Sequence, residues 1–282
     1  MPTQSGAVVL LQQPEAEKVF FYLAVAVFMA SAVIAWTGFL FNKSLHKTLV
    51  TSMAMAVIAS ALSIGLRWAQ TGNGPFVTLY EVLLSNLFSL GFIFLLIYKV
   101  IPQSRSAALF VLPLLSIIGI WAATTSMAPI VIPATYDTAL LWIHVAVGKI
   151  FLGMCLTATG LAAVLLLRYS LSIEGFESLP GNSELDDLAW RFMAVAFVFH
   201  SLMLIAGAAW AQDAWGRFWA WDSLETWAFI TWLVLGLSLH ARVTWQLPDW
   251  AGWLMIISVF ILALLTFFGV PFSSAGPHRG II

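Results

Sequence analysis

Apolar positions gather into eight long runs separated by short polar breaks. The runs cover roughly 19–41, 48–66, 79–100, 106–125, 138–168, 188–211, 224–245 and 250–270. Crossing a hydrocarbon layer of about 30 Å takes about 20 apolar residues in a helix. In that medium a span must satisfy its own backbone polar groups, which leaves the α-helix as its conformation. The pattern therefore predicts an all-α, polytopic membrane protein of about eight transmembrane helices in a single integral domain, residues 1–282. Pro113 interrupts the fourth run, and a neighbouring helix must satisfy the carbonyl it frees. The fifth run is too long for one perpendicular crossing, so it tilts or projects. The segment 126–137 is too short to span and too apolar to float, and is predicted to lie along the membrane interface. The opening stretch lacks a basic n-region, so no cleavable signal peptide is expected.

Composition narrows the function classes. Of 282 residues, 61% are hydrophobic and 9% charged, and the net charge is −1. A soluble domain carries about 25% charged residues, and a nucleic-acid binder needs a basic surface; neither fits. The single cysteine, Cys155, excludes an internal disulfide and a CxxC pair. Basic residues distribute unevenly between the two sets of connections. Lys43, Lys47, Lys99, Arg105, Arg168, Arg191 and Arg242 flank one set, against Lys18, Arg67, Arg217 and Arg279 on the other. The positive-inside rule makes the first set cytoplasmic. Both termini and the Trp-rich loop then face the periplasm, exterior or lumen.

That loop, 210–227, carries the most distinctive chemistry. It places Trp215, Trp219 and Trp221 within a few residues of Arg217, Asp222 and Glu225. An interfacial belt scatters one or two aromatics per helix end; this density suits a shelf for a flat apolar ring system with an anionic edge. Stacking would hold the rings, and Arg217 could pair with a carboxylate. Haem, an apolar macrocycle with two propionates, has that shape. Asp222 is either an acid or a structural loop carboxylate.

The run Trp215-Gly216-Arg217-Phe218-Trp219-Ala220-Trp221-Asp222, with Glu225-Thr226-Trp227, resembles the WWD signature of the haem-handling superfamily. Within it the chain is most similar to the CcsA (ResC) family, the membrane subunit of the System II cytochrome c synthase. LDDLAWR before the sixth run, ETWAFITWL into the seventh and LRWAQTGNGPFVTLYEVLL before the third share the likeness. Ser223-Leu224 and Thr78 depart from the family's usual residues.

Five histidines bear on this resemblance. Imidazole is an axial ligand of haem iron. His144 lies ~10 Å inside the outer end of its run by helical rise, and His278 sits in the Gly/Pro-rich tail. Packing through a hydrogen bond would also explain His144, and simple exposure would explain His278. The resemblance implies that both ligate haem on the outer side. His240, some 16 residues into its run, either snorkels or, as the resemblance implies, shares an inner haem position with a CcsB-type partner. His200 sits mid-span in the sixth run, with an interhelical hydrogen bond as its simplest role, and His46 is expected to be solvated. Lys149, five residues after His144, points about 140° away from it. It is expected not to touch the same haem and to be a buried pair, a cavity cation or a snorkel. Glu81 is a partner of the site or merely interfacial, and Cys155 belongs in the core.

The resemblance implies transport of haem b, as substrate, and its ligation to an apocytochrome c that supplies Cys-x-x-Cys-His. It also implies a CcsB-type partner, a thiol-reducing protein and thioether formation, the activity of a haem lyase. The chain has no CxxCH of its own. Alternatives are CcmC-like haem loading of a chaperone, a haem- or quinone-binding anchor of a larger complex, and a solute permease.

Overall fold

The computed structural model describes residues 5–72, 74, 77–128, 138–171, 179–245 and 247–270, with backbone alone for 5–14. The chain folds into helices α1 Ser5–Leu40, α2 His46–Thr71, α3 Leu79–Val100, α4 Ala108–Ala123 and α5 Ala139–Ser170. These are followed by α6 Asn182–Trp215, α7 Ser223–Thr244 and α8 Asp249–Leu264. A 3-10 turn, Pro102–Ala107, leads into α4, and a π-helical turn, Leu265–Gly269, extends α8. Among the described residues eight helices are long and apolar enough to cross a membrane. The eight runs read from the sequence each fall on one of them.

The helix ends explain themselves locally. Thr78 caps α3 by accepting from the Glu81 amide, while the Glu81 carboxylate accepts from Thr78 N, a reciprocal capping box. Pro102 opens the 3-10 turn, where its missing N–H costs nothing. Pro113 does not break α4. The carbonyl it strips of a donor is that of Leu109, four residues earlier, and Trp36 Nε1 from α1 donates to that oxygen at 2.9 Å. Trp36 thus supplies the neighbouring-helix donor that a proline in a span requires.

The helices form two halves. In the N-terminal half α1 packs on α2 and α4, and α3 fits between α2, α4 and α5. The core there is Phe21, Phe28, Tyr80, Leu83, Leu84, Leu87 and their neighbours, all enclosed. In the C-terminal half α5 and α6 share the longest seam, α8 packs on α5, and α7 rests on α6 and α8. Cys155 is buried in the core, as expected.

At one end of the bundle, four segments meet on a guanidinium. Arg67 Nε donates to Glu81 Oε1 at 3.0 Å, and its Nη1 lies 3.7 Å from Glu17 Oε2. Nη1 also donates to the Met127 carbonyl, and Nη2 donates to that of Ala128. Tyr80 lies under the guanidinium and donates its hydroxyl to Glu17. Arg67, Glu17 and Glu81 are all buried. Arg67, counted among the outer-side basic residues, and Glu81, read as a partner of the site or as interfacial, instead share an internal ion-paired hub. Beside it Trp68 stacks on Trp142 at 5.1 Å, tying the end of α2 to the start of α5.

Candidate functional site

The α5–α6 seam follows a spacing of three and four residues on both helices. Leu141, His144, Gly148 and Phe151 line α5; His200, Met203, Gly207 and Trp210 line α6. Such spacing keeps one face of each helix toward the other. The registers interlock: His144 sits at Gly207, Gly148 at Met203, and Phe151 at His200.

His144 fills a notch that Gly207 leaves open. A Cβ at Gly207 would lie 2.8 Å from the imidazole. The ring is roughly parallel to that of buried Trp210, at 6.3 Å, and its Nδ1 is 2.9 Å from the Met203 carbonyl. A carbonyl only accepts, so Nδ1 carries the proton and the lone pair resides on Nε2. Metal-bound histidines are held in this way, with one nitrogen donating to a carbonyl and the other facing the metal. Sequence reading singled out His144 but missed Gly207, Met203 and Trp210. A glycine three residues before a tryptophan in a long apolar helix was the available signal.

The Trp-rich segment is mostly helical. Trp210 and Trp215 belong to α6, and Trp227 to α7, leaving only residues 216–222 irregular. Gly216 ends α6 in the left-handed region (φ 76°), with its N–H on Gln212 O. Asp222 begins α7: its carboxylate accepts from the Glu225 amide at 2.9 Å. Glu225 in turn accepts from Ala220 N at 2.7 Å, closing the loop onto the helix it starts. Asp222 thus has a structural task. Trp221 is held at φ 58°, an uncommon conformation for a side chain of its size.

The aromatic contacts described fall into two groups. Trp215 meets Trp210 edge-on at 4.8 Å, next to His144. Trp219 and Trp221 pack edge-on with each other and with Phe229. Phe229 stacks on Trp232, and Trp232 on Phe197. Trp232 Nε1 donates to Ser201 Oγ, fixing this second group to α6. Two features face outward from this framework. The Trp221 ring is 68% exposed, and Arg217 is exposed with no carboxylate partner among the described residues. Trp219 Nε1 is buried without a partner. The segment thus exposes ring area and a cation, and its α6 end packs next to the oriented imidazole.

The other histidines separate. His200 is fully buried, stacks on Phe151 at 4.1 Å, and neither ring nitrogen has a partner. The expected interhelical hydrogen bond is not formed, because the groups opposite it on α5 are apolar. His240 lies on the exposed face of α7 near its C-terminus, 3.4 Å from Thr244 Oγ1. Close to it Arg242 is ion-paired with Asp186, which also accepts from Trp253 Nε1 at 2.8 Å, so α6, α7 and α8 are fastened together there. His46 is half-buried and stacked on Tyr98 rather than fully solvated. Lys149 points to α3, where Nζ donates to Ser85 Oγ at 2.9 Å; His144 points to α6, in line with the helical-wheel expectation. His278 lies outside the described residues.

A family profile described as Cytochrome C assembly protein matches residues 16–278. Similar proteins carry the name cytochrome c biogenesis protein CcsA. One from Prochlorococcus marinus is 32% identical, covering 84% of each chain. Those of Guillardia theta and Porphyra purpurea are 29% and 25% identical over 89% of this chain and 91% and 92% of theirs.

Proposed function

Because the chain belongs to the cytochrome c assembly protein family, we propose that it carries haem across the membrane and presents it to apocytochrome c. A CcsB-type membrane protein is its partner in this reading. Haem b is the substrate, and the Trp-rich end of the bundle faces the periplasm, exterior or lumen. The observation that carries the proposal is the Nδ1–H bond from His144 to Met203 O, which puts the lone pair on the other nitrogen, the form in which an imidazole binds iron.

The Trp-rich segment provides what a haem edge requires. Trp215, Trp219, Trp221 and Trp227, with Gly216 at the turn, supply ring area. Arg217 supplies a cation for a propionate, and Asp222 keeps the loop in shape as the cap of α7. His278, on the tail, is the second outer axial ligand, and His240 is the inner one, shared with the partner. Ligation itself is an addition. Each thiol of the apocytochrome's CxxCH adds across a haem vinyl group, sulfur to one carbon and hydrogen to the other, so no oxidant is consumed. The thiols must stay reduced, which calls for a thiol-reducing protein. The chain's contribution is orientation of the two reactants, worth several kcal/mol of barrier. In that sense it is the haem lyase component.

The test is haem content and oxidised and reduced spectra of the chain purified with its partner. His144→Ala or His278→Ala should lower outer-site haem and cytochrome c maturation at least tenfold, and added imidazole should restore part of both. Undiminished holocytochrome in the double variant would overturn the assignment.

A further inference from the structure

At the end of the bundle away from the Trp-rich segment, α6, α7 and α8 border a small cavity of about 20 Å³, room for an oxygen-sized atom or two. Trp190, Arg242, Trp245, Leu247, Pro248 and Gly252 line it. It lies where α7 ends and α8 begins. Span ends sit at the depth of lipid headgroups, where tryptophan concentrates, and Trp245 and Trp250 are exposed at this junction.

Unused donors line the cavity. Trp190 is only 7% exposed, yet its Nε1–H has no acceptor, whereas buried donors are normally paired. Gly252 leaves that edge of the indole uncovered: a Cβ there would lie 3.2 Å from Cζ2 and 3.8 Å from Nε1. The Arg242 guanidinium lies 5.7 Å from the centre of the same ring. Its Nη2 is engaged by Asp186, while Nε and Nη1 have no acceptor among the described residues. The first turn of α8 follows Pro248 without a side-chain cap, so its leading amides add the positive end of a helix dipole.

Such donors suit a phosphate oxygen, and the local charge selects the kind of phosphate. Asp186 already neutralises Arg242, and Asp249 adds a negative charge in the first turn of α8. A free phosphate dianion meets no net positive charge there. A singly charged phosphodiester that brings its own ammonium group does fit, since the phosphate takes the donors and the ammonium takes Asp249. We propose that the cavity anchors the headgroup of one zwitterionic aminophospholipid, of the phosphatidylethanolamine kind, whose acyl chains stay in the bilayer. The site uses none of the residues assigned to haem and stands apart from that reading.

The test titrates the purified full chain in neutral detergent with phosphatidylethanolamine, phosphatidylglycerol or inorganic phosphate, and counts retained molecules by native mass spectrometry. One phosphatidylethanolamine should be held at a concentration at least tenfold below that needed for phosphatidylglycerol, which has the phosphodiester but no ammonium. Inorganic phosphate should not displace it. Trp190→Phe, which keeps a ring but removes the N–H, should weaken retention at least fivefold with helicity and monodispersity unchanged, and Asp249→Asn should abolish the preference between the two lipids. Equal retention of both lipids by the parent chain would overturn the proposal and leave only annular lipid; this comparison needs no variant to fold. Displacement by inorganic phosphate would overturn it in favour of a free anion, and parental retention by folded Trp190→Phe would remove the cavity as the site.

Discussion

Gly207 carries no side chain at the place where a methyl carbon would lie 2.8 Å from the imidazole of His144. Carbon atoms in contact sit about 3.5–4.0 Å apart, so an added methyl must push the ring out of its notch. That would break the Nδ1–H bond to Met203 O and with it the orientation of Nε2. Gly207→Ala should therefore lower outer-site haem by at least tenfold with His144 still present. Added imidazole should recover part of the loss, as is expected for His144→Ala. The measurement is haem per folded protein; parental occupancy would show that the notch does not orient the ligand. His144 was legible in the sequence because histidine is rare in an apolar run. Gly207 and Met203 were not, because their role exists only once α6 lies against α5 in one register.

The eight spans were readable from hydropathy alone, since a membrane demands the same length and apolarity of every crossing. Their ends were harder to read. Trp210 and Trp215 look like loop residues beside a dense aromatic run, yet α6 continues to Trp215, where Gly216 allows a left-handed stop. The pairing of Trp36 with Leu109 was also hidden, because 73 residues separate them. It makes a prediction about α4. Trp36→Phe keeps the ring packing against Phe39 and Phe110 but deletes the only donor described for the Leu109 carbonyl. An unsatisfied buried acceptor costs about 1–3 kcal/mol. The variant should be less stable by that amount in denaturant unfolding, while Trp36→Phe combined with Pro113→Ala should recover much of it. Equal stability of the two variants would mean that another donor replaces the indole.

Across the whole molecule, the residues assigned to haem lie on two different exposures of the bundle. His144 is inside the α5–α6 seam near the Trp-rich end; His240 is on the open face of α7, 17 residues beyond its first, ~26 Å by rise. No single haem reaches both, so the proposed route needs two stations. His240→Ala should then starve the outer station although His144, His278 and every tryptophan are intact, and imidazole should refill it. The measurement is outer-site haem in membranes that also contain the CcsB-type partner. Full occupancy without imidazole would leave His240 as an interfacial side chain and remove it from the route. The sequence could place His240 by counting turns, but not show that it faces outward, which depends on how thinly α7 is packed.

The guanidinium of Arg67 bears on the order in which the polypeptide leaves the ribosome. Glu17 is already in place when Arg67 emerges, and Glu81 follows after 14 residues, but the Met127 and Ala128 carbonyls arrive only 60 and 61 residues later. Until then two of its three nitrogens lack these backbone acceptors, and α2 carries a cation it cannot release into lipid at low cost. The hub therefore predicts that the first four spans mature as one block, completed only when the end of α4 closes over Arg67. In that order the α5–α6 seam that holds His144 would be added to a platform whose top is already locked.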